Sequence, residues 1–590
     1  VTRTRVLLGL ALASFATGAL ASANDPAPLA EQPPAVDAGA TGSLAGFYLA
    51  ARQAGLDKDL AAAAGFYGAA LEKDPGNDEL LDRSVLMNVA SGDIPRAAEF
   101  ARDLLERNPR DQVALIALAV HELRTGDNTG AIATVEKLGE LGGQLQELVA
   151  ALMKAWAITA DGNAAQAVNL LDDLKGPTWF DTFTTLHAGL IADQARLFEI
   201  AAERLKTAYD RDPGAVRVVD AYARVLARSG KADEARGVLA EFEQRVGGND
   251  QFTGPLRAEI DAGEVAPQIT DPRAGLAEAL FGIGSAVGRE GGDTFAASLL
   301  QLSLYLAPDA YFPAMALGQV LESMNQYEAA IATYRRIPDG SPLKRTAQVQ
   351  EALNLNILER HDEAIAILKD LVAAEPSDIP TAVALGNVYR SREKFPEASE
   401  IYTTAIESFA DGVPDTYWTL YYYRGIARER TGQWTAAEKD FRKALEMEPE
   451  NPLVLNYLGY SYIDRHENLD EALDMVKRAV AQRPDDGYIV DSLGWAYYRL
   501  GRYEDAVTEL ERAVQLKPAD PVINDHLGDA YWRVGRRLEA MFQWSHARDS
   551  APEADALKTI LEKLANGLDD NGSPRQKAAA AEQEAAPAAE

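Results

Sequence analysis

No cysteine occurs among the 590 residues. Disulfides, thiolate nucleophiles, thiolate metal sites and a lipid-bearing N-terminal cysteine are excluded together. Histidine is scarce, with six residues in all, and His121, His187, His361, His466, His526 and His546 never fall at the spacing of metal ligands. Positive charge is also in deficit. The 58 Lys and Arg face 90 Asp and Glu, and a formal charge of −32 repels nucleic acid and anionic lipid headgroups. Long apolar runs are missing except at the start, where Arg3 and Arg5 precede an apolar stretch from Val6 to Leu20 that closes on Ala21, Ser22 and Ala23. This stretch is shorter than the roughly 20 residues a bilayer span requires. It reads as a cleavable export signal ending near Ala23, with a periplasmic mature chain and no membrane span expected after cleavage. Without disulfides, an exported chain must draw its stability from burial.

What the sequence does contain is a period. From Gly494, Ala506 lies 12 residues on, Leu510 16 on, Ala513 19 on and Pro518 24 on; Gly425 and Gly528 repeat the same offsets. Origins recur at Gly425, Gly459, Gly494 and Gly528, and run back through Gly386, Ala352, Gly318 and Gly284. Beyond a gap they continue through Ala223, Gly189, Ala155, Ala119, Val85 and Ala51. An alanine follows every one of these 14 origins by 12 residues, or by 13 after Gly459. Small residues at both phases let two antiparallel helices approach closely, and the larger residue 16 on fills the space behind them. Gly432, Gly501 and Gly535 fall where the first helix must turn. Pro75, Pro109, Pro213, Pro308, Pro342, Pro376, Pro449, Pro484, Pro518 and Pro552 end the second helix. Each unit is thus predicted to be a helical hairpin with an apolar flank that only stacking can bury.

Asp491 to Tyr498, followed by Leu500, Gly501, Arg502 and Tyr503, resemble the tetratricopeptide repeat, and the resemblance extends over about residues 44–555. It implies an all-α, right-handed superhelical solenoid of about 14 hairpins. The expected order is a signal (1–23), an Ala/Pro linker (24–43), six repeats (44–246), an insert or hinge (247–276) and eight repeats (277–555). A final helix and a disordered acidic Ala/Glu tail (556–590) follow. Nothing outside the repeats is long enough for a separate enzyme domain.

Two stretches imitate catalytic motifs. Gly282 to Gly288 lacks the preceding strand and the following Lys-Ser/Thr of a phosphate loop, and Gly459 to Tyr462 lacks the second glycine of a nucleophile elbow. No catalytic, cofactor-binding or metal-ligating residue is assigned, and the chain is expected not to be an enzyme.

Aromatic residues are concentrated instead. Between Tyr417 and Trp544 lie 19 of the 45 aromatics. Residues 3 before, 1 after and 4 after an origin share one face of the first helix, which in the repeat family resembles the lining of a concave groove. That face holds Tyr422, Tyr460, Trp495, Tyr498 and Trp532, with Asn456, Asp491, Asp525 and Asp529 beside them and Arg430, Arg499 and Arg533 one step further. Aromatic and arginine side chains in a concavity suit partner recognition. The other reading is that Arg499 and Arg533 pair with neighbouring acids along the stack. A partner segment with basic and apolar residues is expected to suit the aspartates and aromatics.

Asn456 to Tyr460 and Asn524 to Asp529 resemble proteobacterial envelope repeat proteins, including lipoprotein adaptors that present substrates to carboxyl-terminal processing proteases and so control cell-wall hydrolases. The lipid-bearing cysteine of those adaptors is absent here. The resemblance implies a non-enzymatic periplasmic scaffold or adaptor; the alternative is an assembly factor for outer-membrane or exopolysaccharide export machinery.

Overall fold

A computed structural model describes residues 42–246, 251–410 and 412–569. The expected export signal, nearly all of the Ala/Pro linker and the Ala/Glu tail lie outside the described residues. Thirty α-helices, numbered in chain order, and a short 3-10 helix at Asp415–Tyr417 lie among the described residues, joined by turns and loops, and no β-strand occurs among them. Every origin lies in the first helix of a hairpin, and the alanine 12 or 13 residues on lies in the second. All of those alanines, from Ala63 to Ala540, are at most 2% exposed. A Cβ on Gly494 would stand 2.5 Å from Leu510 Cγ, and the same close approach joins Gly386 to Tyr402, Gly425 to Phe441 and Gly528 to Trp544. The large residue 16 positions on is therefore seated on the bare backbone of its own hairpin, as the period predicts.

The turn inside each hairpin obeys a rule that the glycines only hinted at. Seven residues after every origin the backbone is left-handed. Eight repeats place glycine there, Gly432, Gly501 and Gly535 among them. Six place Lys58, Arg196, Asn325, Glu359, Glu393 or His466, at φ between 55° and 60°. Between hairpins, eight of the ten prolines that stop the second helix stand two residues before the next N-cap, and Pro342 and Pro552 stand one before it. Pro109, Pro376, Pro484 and Pro518 precede Asp111, Asp378, Asp486 and Asp520, whose carboxylates accept from first-turn N–H groups. One short loop thereby ends one helix and starts the next.

The described chain divides into two compact units after Leu371, within α19 (His361–Ala374). The 247–276 stretch lies inside the first unit. It carries α13 (Thr253–Ala262), which packs on α11 (Val216–Arg228) and α12 (Ala232–Val246). In this unit the hairpin of α14 (Pro272–Arg289) and α15 (Asp293–Leu306) packs on the first helices of preceding repeats. It meets α3 (Asp78–Ser91), α5 (Gln112–Thr125), α7 (Gln144–Ala160) and α9 (Phe180–Gln194). A Cβ on Gly275 would meet the Trp156 ring at 2.3 Å, Arg217 makes a largely buried pair with Glu278 at 2.8 Å, and Lys58 reaches Asp293 at 3.0 Å. The seventh repeat thus occupies the groove face of the first six. Trp156 donates to Nδ1 of the fully buried His187 at 3.2 Å, and burial lowers that imidazole to about 4, so it remains a neutral acceptor.

The second unit stacks the hairpins from α20 (Ile379–Ser391) to α29 (Arg537–Asp549) and closes on α30 (Ala554–Asn566).

Candidate partner-binding groove

In the second unit the groove phases fall on α20, α22 (Trp418–Arg430), α24 (Pro452–Arg465), α26 (Gly487–Arg499) and α28 (Pro521–Arg533). Tyr422 belongs to the core rather than the groove surface. It is 9% exposed and its ring touches Trp418, Tyr423, Phe441 and Tyr457. Tyr498 is likewise buried, stacked on Trp495 at 4.7 Å with its hydroxyl accepting from Arg533 Nε. Both corrections have one cause. In a short repeat, a large ring at these phases reaches the next hairpin and is covered by it.

Tyr460 and Trp495 keep part of their surface open. Burial, with Asp491 and Asp464 nearby, pushes the Tyr460 phenol up to about 12. Trp495 stacks on His526 at 4.0 Å, and Arg499 lies 5.9 Å from its ring. Arg499 also pairs with Asp464 at 3.4 Å, which is the pairing reading of that residue; Arg533 bonds Tyr498, faces the Tyr503 ring and feels the charge of Asp569. Arg430 is exposed and lies 4.9 Å from the Phe395 ring.

The aspartates do not offer free charge. Asp491 is buried against His526 Nδ1 at 3.0 Å. Burial alone would lower this imidazole, but the charge and hydrogen bond of Asp491, helped by Asp525 and Asp529, raise it above its ordinary value. Asp525 and Asp529 share Lys563 of α30, at 2.6 and 2.8 Å. Asp529 also accepts from Trp544 Nε1, and burial, only partly offset by Lys563, pushes its carboxyl up to about 6. Trp532 donates to the Leu568 carbonyl at 3.2 Å and packs on Gly567. Sequence reasoning missed that α30 lies over the last repeat and consumes these groups. Ile560 and Leu564 within it, followed at the same spacing by Leu568 just beyond its end, were the available signal. The expectation that the groove attracts basic residues through its aspartates is therefore corrected.

What remains available is a mixed surface. Tyr488 and Val522, six residues before their origins and unnoticed in the sequence, are 43% and 52% exposed on the same face. At groove phases, Arg390 Nε, Asn456 Oδ1 and Asp525 Oδ1 are buried without a hydrogen-bond partner among the described residues, and such atoms ordinarily find a ligand or water. No group of three His, Asp or Glu among the described residues is placed to hold a metal ion.

Family models described as tetratricopeptide repeat match residues 89–142, 186–250, 314–337, 383–452 and 422–487, and one described as TPR repeat matches 494–535. A TPR repeat-containing protein of Pseudomonas aeruginosa is 30% identical over 190 residues, covering 32% of this chain and 31% of that protein. A lipoprotein NlpI homolog of Haemophilus influenzae is 34% identical over 87 residues, 14% of this chain and 27% of that one. The chain thus spans less than a third of the length of each of these relatives. Among solved structures, the Cut9–Hcn1 hetero-tetramer of the APC/C aligns at 15% identity and TM-score 0.37, covering 89% of this chain and 96% of that one. A tetratricopeptide repeat protein from Parabacteroides merdae aligns at 15% identity and TM-score 0.34, covering 49% and 99%. Repeats of this kind imply a scaffold for protein–protein interaction and are typically non-catalytic. By its period, its hairpins and the family-model matches, the chain carries tetratricopeptide repeats.

Proposed function

We propose that this protein is a non-enzymatic periplasmic adaptor. It captures a protein partner along the groove face of its second unit and presents it to a cell-envelope protease of the carboxyl-terminal processing class. The observation that carries the binding part is the coincidence, on one face, of accessible rings with unpartnered polar atoms: Tyr460, Trp495 and Tyr488 beside Arg390 Nε and Asn456 Oδ1. Rings supply apolar area at low entropic cost, and polar atoms buried without a partner leave this face incompletely satisfied on its own. The groove face of the first unit is already filled by α14 and α15, so binding falls to the second. The export part rests on Arg3, Arg5 and the apolar stretch from Val6 to Leu20, and the protease part on the likeness of Asn456 to Tyr460 and Asn524 to Asp529 to envelope adaptors.

A photo-crosslinker placed at position 460 in intact cells tests each part. Recovery of a processing protease or its cell-wall hydrolase substrate is expected. Other partners crosslinked at the groove would remove the protease part, and crosslinks confined to distant control positions would remove the groove.

A further inference from the structure

Where the α14–α15 hairpin docks into the first unit, the packing leaves a cleft of about 210 Å³. Arg124 enters it from the last turn of α5. Arg336 enters from the residue that follows α17 (Tyr327–Arg335). Between them stand Gln301 and Tyr305, one turn apart on α15, with Leu304 and Pro308 as the apolar wall. No acidic residue lines the cleft, although the chain carries 90 Asp and Glu against 58 Lys and Arg.

The two guanidinium groups differ from most of their neighbours. Arg335 takes Glu351 at 2.7 Å, whereas Arg336 is exposed and makes no ion pair among the described residues. Arg124 makes none either; its guanidinium lies 5.9 Å from the Tyr305 ring. The other groups are held in place. Tyr305 bonds His121 Nδ1 at 3.0 Å with the two rings stacked. Gln301 lies against the left-handed turn at Gly92, where a Cβ would stand 2.8 Å from its Oε1. Two unpaired arginines, an amide donor and an apolar wall thus converge on a space too small for a drug-sized ligand. A guanidinium presents planar N–H donors that match the oxygens of carboxylate or phosphate.

We propose that this cleft binds a compact oxyanion, phosphate or carboxylate, between Arg124 and Arg336. The anion ties the turns after α5 and α17 to α15 and so holds the seventh repeat in the first unit's groove face. This site is separate from the second unit's groove and does not depend on the adaptor reading.

Titration calorimetry of the full chain with inorganic phosphate, and in parallel with succinate, at matched ionic strength in chloride buffer tests the proposal. Saturable one-to-one binding of at least one anion is expected. The arm that binds distinguishes a phosphate source from a carboxylate source. Arg336→Gln, at an exposed position, should keep the wild-type melting curve and weaken binding by about tenfold or more. Arg335→Gln, with its side chain turned to Glu351, should bind as wild type. Failure of both anions to bind above the chloride control, or wild-type affinity in Arg336→Gln, would overturn the site.

Discussion

Trp156 and Trp495 stand at the same phase, one residue after the origins Ala155 and Gly494. The first is 0% exposed beneath α14, and the second keeps part of its ring open in the second unit. Their neighbours differ in the same way. At groove phases of the first unit lie Ile116, Val120, Leu152 and Leu190, none more than 2% exposed, whereas the second unit has Asn456, Tyr460 and Asp525 partly exposed and the polar Asp491 buried against His526. Repeat phase therefore fixes the direction in which a side chain points, while the chemistry of the whole face decides whether the chain covers it with its own hairpin or leaves it open.

The matched tryptophans give the sharpest way to break that comparison. Trp156→Ala should destabilise the first unit by about 3–5 kcal/mol, because it opens a cavity under α14 and strips His187 of its donor. Trp495→Ala should cost clearly less stability and instead weaken partner binding by about 2 kcal/mol, roughly thirtyfold. Equal losses of protection in hydrogen exchange for both variants would mean that the two faces are equally structural.

The cap on the second unit comes next. Lys563→Met leaves Asp525 and Asp529 facing one another without their cation, and breaking such a buried pair costs on the order of 3 kcal/mol. Rapid amide exchange throughout α30 is expected, with α24 unaffected. Slow exchange in α30 would show that apolar packing alone holds the cap. Gly494→Leu should destabilise by about 1–3 kcal/mol by driving into Leu510, and an unchanged melting curve would contradict the close approach.

Acidity should tighten the same end of the molecule. Asp529 is raised from 3.8 to about 6, so the stability linked to its proton is complete below pH 3.8 and is lost as pH rises through about 6. His526 is raised above 6.5, so its contribution is complete below pH 6.5 and is lost above that, as pH rises through the folded value. Exchange protection of α28 and α30, corrected for intrinsic rates, should fall from pH 6 to pH 8.5, and His526→Gln should flatten that fall. Protection that rises with pH would reverse the sign of the His526–Asp491 interaction. The smallest effect expected is at the hairpin turns. Glu393→Gly relieves a left-handed residue at φ 55° and should stabilise by up to about 1 kcal/mol in a denaturant titration.

The amino-acid order by itself determined the local part of this protein. Origins, alanines and the large residue 16 on define each hairpin, because close helix approach demands small side chains at fixed spacing and nothing distant is needed to enforce it. The groove residues were readable as a face, and Tyr460 and Trp495 stand there. Tyr422 and Tyr498 did not, since their cover comes from neighbouring hairpins, and Asp491 and Asp529 were already paired, with a histidine 35 residues on and a lysine 34 residues on. Only the tertiary structure decided that the seventh repeat fills the first unit's groove face, that α30 consumes the last repeat's carboxylates, and that Arg124 and Arg336 meet more than 200 residues apart. Such pairings depend on how stacked hairpins bring distant faces together, and a 34-residue period carries no record of that distance.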